Sequence, residues 1–174
     1  MSTTLPLRQQ LVLIAAAEIG VMEKPKNSNT GKRIIEYQRA TNLGGTGWSY
    51  CAAFVCWCIR EWLKDSAVRD ALKLTAAKAE IWRPKTAAAF GFHDWAEKKG
   101  LLIMDDKPSH ILHCADLVTF DISHIGILRD DFNDGRIISI DGNTLPNAKS
   151  NDGGGVYQRV RQRSEARKFI RILP

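Results

Sequence analysis

No stretch of this sequence is apolar over the roughly 20 residues needed to cross a bilayer, so membrane insertion is not expected. Cysteine is scarce: four in 174 residues, at 51, 56, 58 and 114, without the spacing of a small disulfide framework. Cys56 and Cys58 stand two apart on an expected helix, so their side chains diverge by roughly 200°. They should neither pair nor clamp one metal, and free thiols made in a reducing compartment are expected. No internal repeat, linker or low-complexity run interrupts the chain, and no nucleic-acid motif accompanies its net charge of +6. Apolar residues at 44% and charged residues at 25% match an ordinary globular protein and exclude disorder. The length suits one domain spanning residues 1–174.

What positive charge there is gathers late. Arg159, Arg161, Arg163, Arg167, Lys168 and Arg171 face only Glu165 in their neighbourhood. A solvated strand and tail is the plain expectation; a surface that draws the protein to an anionic polymer is the functional one. Leu11–Ala17, after Arg8, has the texture of a signal-peptide core. But Glu18 follows at once and the amphipathic pattern runs on to Ile19 and Val21, so no signal peptide is expected.

Apolar periodicity predicts a first helix over 7–21, a second over 31–41 and a third from Cys51 to Trp62 or Lys64. Phe54, Val55, Cys58, Ile59 and Trp62 follow Cys51 on one helical face, which makes Cys58 core filler and leaves Cys56 without an evident role. Residues 66–80 read as helical, and 93–99 as a short helix ending at Gly100. From Asp116 the texture changes. Runs at 117–120, 125–128, 137–140, 156–160 and 169–173 are β-rich, and turn residues such as Asp134-Gly135 and Asn151–Gly155 separate them. Close spacing without intervening helices predicts an antiparallel sheet of about five or six strands behind the helices, an α+β fold.

The chemistry centres on Cys51. Gly44-Gly45-Thr46-Gly47-Trp48-Ser49-Tyr50 runs straight into it, and a thiol at a helix start meets free backbone N–H groups and the positive end of the helix dipole. A cysteine nucleophile needs a base, and the base a group to hold it. His93 falls on an expected surface helix, His110 and His113 in a loop. His124 opens a strand, and Gly126 on the same face leaves room beside it. The competing reading of His124 is a structural histidine. In the next strand Ile137, Ser139, Asp141 and Asn143 would share a face if extended geometry persists. Asp141 or Asn143 could then orient His124, although Asp141-Gly142-Asn143 is equally turn chemistry.

These segments carry a family resemblance. Asn27–Gly31, Tyr37 and Gly47–Val55 resemble the nucleophile region of CHAP domains, the cysteine, histidine-dependent amidohydrolases/peptidases. Asp116–Phe120 followed by Ser123–Ile127 resembles that family's histidine strand, and Ile140–Thr144 its acidic-x-asparagine segment. The resemblance implies a papain-like fold and cleavage of amide bonds in bacterial peptidoglycan. It assigns Cys51 as nucleophile, His124 as base, and Asp141 and Asn143 as the residues that orient the histidine. Many relatives have glutamate where Asp141 stands. Trp48 and Tyr50, flanking the nucleophile, are taken as substrate-binding. Some relatives bind calcium before the cysteine; residues 38–50 contain no Asp or Glu, so no metal and no cofactor is expected.

The expected function is therefore a monomeric, cysteine-dependent peptidoglycan amidase or endopeptidase. It would be made in the cytoplasm and act in the periplasm or cell wall, as a phage endolysin released by a holin or as an injected antibacterial effector with a cognate immunity protein. The alternatives are a related cysteine amidase or acyltransferase acting on a non-wall amide, a non-catalytic wall-binding module, and a metal or redox module built on Cys56, Cys58, His110, His113 and Cys114. Standard zinc spacing is absent from the last set.

Overall fold

The computed structural model describes residues 6–107, 109–130, 135–146 and 154–173. Six helices come first, α1 (Leu7–Ala16), α2 (Lys32–Gln38), α3 (Cys51–Trp62), α4 (Ser66–Ala71), α5 (Ala76–Trp82) and α6 (Gly91–Lys98). The strands are β1 (Leu102–Met104), β2 (Leu117–Phe120), β3 (His124–Leu128), β4 (Arg136–Thr144), β5 (Gly155–Gln162) and β6 (Ala166–Arg171). They form one antiparallel sheet in the order β1-β6-β2-β3-β4-β5. This is the α+β layout expected from the sequence, with helices before strands.

The central element is α3. Its apolar face was expected to be a stripe, yet ten of its twelve residues are buried. The reason is that α1, α2 and strands β3 and β4 pack around it, so little of its circumference meets solvent. Tyr37 of α2 stands edge-on to Phe54 and to Trp57, with ring centroids 5.3 Å away in each case. The Trp62 indole donates to the Leu7 carbonyl at 2.9 Å and ties α1 down.

The sheet has two apolar faces. Leu117, Ile125, Ile127, Ile140 and Ile170 join the cluster containing α3. Val118, Phe120, Leu128, Ile137 and Phe169 form a second cluster with Met104 and Leu112. Strand alternation produces this division, since neighbouring residues project to opposite sides. Gly142 lies on the α3 side, and a Cβ there would sit 2.7 Å from Phe54 Cβ.

Three expectations need correction. The first helix stops at Ala16; residues 17–20 turn, and Gly20 adopts φ 93°. That turn lets the Gly20 N–H donate to Val156 at 3.0 Å and sends Glu18 inward. Residues 66–80 are two helices, not one. Lys73 takes φ 56° between them, and each helix has its own cap: Asp65 accepts from the Ala67 N–H, Thr75 from the Lys78 N–H. Finally, β1 was not anticipated. It is three residues long and forms only because β6 supplies an edge for it.

Replacing Gly142 with alanine forces Phe54 and α3 away from β4. We expect the substitution to cost about 1–3 kcal/mol, read from the shift of the urea unfolding midpoint at unchanged m-value.

Candidate active site

Cys51 is the first residue of α3. The residue before it, Tyr50, supplies no side-chain cap, so the first N–H groups of the helix have neither an intrahelical nor a capping partner. The approach to Cys51 is fixed from outside. The Gln38 amide donates to the Trp48 carbonyl at 2.8 Å and to the Asn29 carbonyl at 3.0 Å, and the Trp48 indole to Gly44 at 3.0 Å. The asparagine-rich stretch and the glycine-rich stretch are thus pinned to one side chain of α2.

His124, the first residue of β3, comes to this thiol. It is fully buried, as is Asp141 on β4. Its Nε2 donates to Asp141 Oδ2 at 2.9 Å. Nδ1 is also shut from solvent and makes no closed hydrogen bond, so it is the nitrogen left to face the thiol. Burial alone would lower the imidazole's pKa. The hydrogen bond to Asp141, the hydrogen-bonding influence of Cys51 and the charges of both overcome burial and raise it to about 9.

Asp141 is the mirror case. Burial would raise its pKa; the hydrogen bond and charge of His124, the charge of Arg161 and the Ser139 hydroxyl bring it down to about 2. Arg161 Nη2 lies 2.6 Å from the same Oδ2, and Nη1 donates to Ser139 Oγ at 3.0 Å. The guanidinium in turn lies over the Phe120 ring, 4.2 Å from its centroid. The two shifts describe one coupled interaction, an imidazolium against a carboxylate across neutral pH, and are not additive.

Gly126 makes this geometry possible. A Cβ there would stand 2.1 Å from Asp141 Oδ1 and 3.2 Å from Ser139 Cβ. The room expected beside the strand is filled by the carboxylate.

Of the residues singled out in the sequence, the structure thus brings Cys51, His124 and Asp141 together. Asn143 does not join the histidine. Extended geometry ends at Asp141: the β4–β5 register slips between Asp141 and Thr144, and Asn143 adopts φ 56°. Its buried amide has no hydrogen-bond partner among the described residues. Trp48 is half-buried. Tyr50 is fully buried.

Cys56 and Cys58 are buried. Cys56 was left without a role; it is buried and donates to the Thr86 carbonyl at 3.4 Å. Burial pushes the Cys56 and Cys58 thiols well up. His93, expected at the surface, is half-buried, 2.9 Å from Thr119 Oγ1. Among the described residues no three His, Cys, Asp or Glu side chains converge as metal ligands.

The expectation of a solvated basic strand is overturned. Arg159, Arg161 and Arg163 are at most 9% exposed. Arg163 meets Asp106 at 2.5 Å, Arg171 meets the buried Asp116 at 2.8 Å, and Arg167 meets Asp121 at 3.1 Å. These cations are matched by carboxylates remote in the chain, which a local count of charges cannot register.

Arg161 is the site residue that sequence reasoning missed. Its signal is the alternation of Arg159, Arg161 and Arg163 on one face of β5 beside the Ser139/Asp141 face of β4. The sequence matches no family model and no curated protein.

Two measurements probe this arrangement. By NMR, the His124 ring should titrate at about 9; in Asp141→Asn, burial is left less opposed and the value should fall. The sign for stability follows. The raised His124 stabilises the fold fully below its ordinary 6.5 and loses that contribution as pH climbs to about 9. The lowered Asp141 contributes above 3.8 and fades as pH falls to about 2. Separately, Arg161→Met should cost roughly 2–3 kcal/mol in urea, because the buried carboxylate loses its guanidinium.

Proposed function

We propose that this protein is a cysteine-dependent amide hydrolase acting on bacterial peptidoglycan. The observation that carries the reading is the buried Cys51–His124–Asp141 line, in which one imidazole nitrogen is committed to the carboxylate and the other is left for the thiol. The resemblance of the same three segments to CHAP domains supports the substrate class.

In the mechanism, His124 holds on Nδ1 the proton taken from the Cys51 thiol, and Asp141 stabilises this imidazolium. The thiolate sulfur attacks the carbonyl carbon of a peptide-stem amide. Negative charge moves to the carbonyl oxygen, where the free N–H groups at the start of α3 can receive it. The C–N bond breaks as His124 returns its proton to the departing nitrogen, leaving an amine and a Cys51 thioester. Water then gives its proton to His124 and attacks the thioester. The acid leaves and the thiol is restored.

The paired Asp141 also argues for catalysis over mere wall binding. A passive wall-binding module gains nothing from an imidazole held protonated beside a thiol. The biological setting we propose is lysis from the periplasmic side, after release by a holin or injection into a competitor.

Purified sacculi treated with the protein and analysed by mass spectrometry should yield stem fragments with a new amine and carboxyl terminus. Cys51→Ala should abolish their release with an unchanged melting temperature; undiminished release by that variant refutes the proposal. If the imidazolium is the proton donor, kcat/KM should fall on an alkaline limb near about 9, and Asp141→Asn should move that limb to lower pH.

A further inference from the structure

The catalytic line leaves a group of polar atoms beside the thiol unused. Glu23 Oε2, the Tyr50 hydroxyl and both side-chain atoms of the Asn143 amide are buried and have no hydrogen-bond partner among the described residues. Their residues are 6%, 0% and 1% exposed. Buried polar groups are almost always paired, so three neighbouring orphans call for an explanation.

Backbone pairing brings them together: Gly155 bridges Met22, next to Glu23, and pairs with Thr144, next to Asn143. Tyr50 directly precedes Cys51. Burial first, then the charge of Glu23, then Tyr157 and Cys51, oppose ionisation of its phenol, while the Asn143 backbone N–H beside it favours ionisation. Glu23 is held there deliberately. The Met22–Gly155 bridge and the Glu23 N–H to Gly154 bond at 2.7 Å attach this segment beside β5. The Lys24 N–H donates to Thr30 at 2.9 Å, and Gln38 ties the following loop to Trp48. These bonds hold Glu23 at the β4–β5 end of the sheet, on the segment that leads to the loop before Cys51.

The chemistry of the set is specific. It offers a carboxylate oxygen, an amide oxygen and a phenol oxygen as acceptors. Among the described residues no Lys, Arg or His pairs with Glu23. A primary ammonium presents three N–H donors and one positive charge. We infer that Glu23, Tyr50 and Asn143 form a subsite for a free primary ammonium on the substrate, close to the scissile carbonyl. This rests on the hydrolase proposal above and makes it narrower: the substrate is an amine-bearing stem peptide. Asn143 then belongs to substrate recognition, not to the histidine.

Two sources of such an amine exist in the wall, and the test separates them. Intact sacculi carry the side-chain amine of a diamino acid. Stem peptides released by an amidase carry a free α-amine as well. Each is assayed before and after acetylation with acetic anhydride. Acetylation should lower kcat/KM by at least about tenfold for the wild-type chain, and Glu23→Gln should shrink that ratio to about twofold or less. A ratio confined to released stems assigns the α-amine; one seen equally with sacculi assigns the side-chain amine. Wild-type protein indifferent to acetylation, or Glu23→Gln with undiminished discrimination, overturns the inference while leaving Cys51-dependent cleavage intact. If no substrate is cleaved at all, the hydrolase proposal fails and calorimetry decides the subsite. Cys51→Ala should bind free stems at least about tenfold more tightly than acetylated ones; equal binding, or none, overturns it.

Discussion

The site depends on one buried oxygen, Asp141 Oδ2, held between two cations. His124 Nε2 approaches it at 2.9 Å and Arg161 Nη2 at 2.6 Å. A carboxylate taken out of water is stable only if paired and hydrogen-bonded. Here the pairing comes from both flanking strands, β3 and β5, so the charge stitches the middle of the sheet together at the point where the thiol arrives. The guanidinium is itself covered by Phe120, which keeps water out and the electrostatics strong. Arg161 thus steadies the carboxylate, the carboxylate steadies the imidazole, and the imidazole is left with one nitrogen for sulfur. The order of dependence runs from the sheet outward to the nucleophile.

Much of this was legible before any coordinates. A glycine-rich run entering an apolar helix placed Cys51 at a helix start, because glycine and apolar periodicity are local signals. The period-2 alternation of Ser139 and Asp141, and the small Gly126 beside His124, placed a carboxylate next to an imidazole. What failed was whatever depended on partners distant in the chain. Arg161 looked like one more charge in a basic tail, because its carboxylate comes from a different strand. The β1 strand is too short to show a period. The break at Lys73 carries no glycine or proline, so helical composition continues through a position where the backbone does not. Asn143 failed for a related reason: alternation was extrapolated through a bulge that only the pairing of β4 with β5 reveals.

The late arginines show how composition misleads about function. A run of cations facing one glutamate suggests an anion-seeking surface. Yet Asp105, Asp106, Asp116 and Asp121 reach them from the other side of the sheet's sequence. Asp116 alone takes Arg8 at 3.2 Å, Arg171 at 2.8 Å and the His113 N–H at 3.0 Å, joining the first helix to the last strand. Exposed pairs of this kind add little stability singly. The buried one at Asp116, which receives two guanidinium groups and a backbone donor, closes the chain's two ends against each other. Net positive charge is therefore a poor guide to what this protein binds.

The short carboxylate at 141 is a matched choice. A glutamate at this position would be one methylene longer. An aspartate reaches the imidazole only if β3 and β4 face each other closely, and the 2.1 Å that would separate a Cβ at Gly126 from Asp141 Oδ1 measures how closely. Glycine at 126 and aspartate at 141 are thus two halves of one solution. The opposite glycine, Gly142, repeats the logic on the other face, where Phe54 of α3 occupies the place of its missing Cβ. Between them the two glycines let β4 take a carboxylate on one side and the nucleophile's helix on the other.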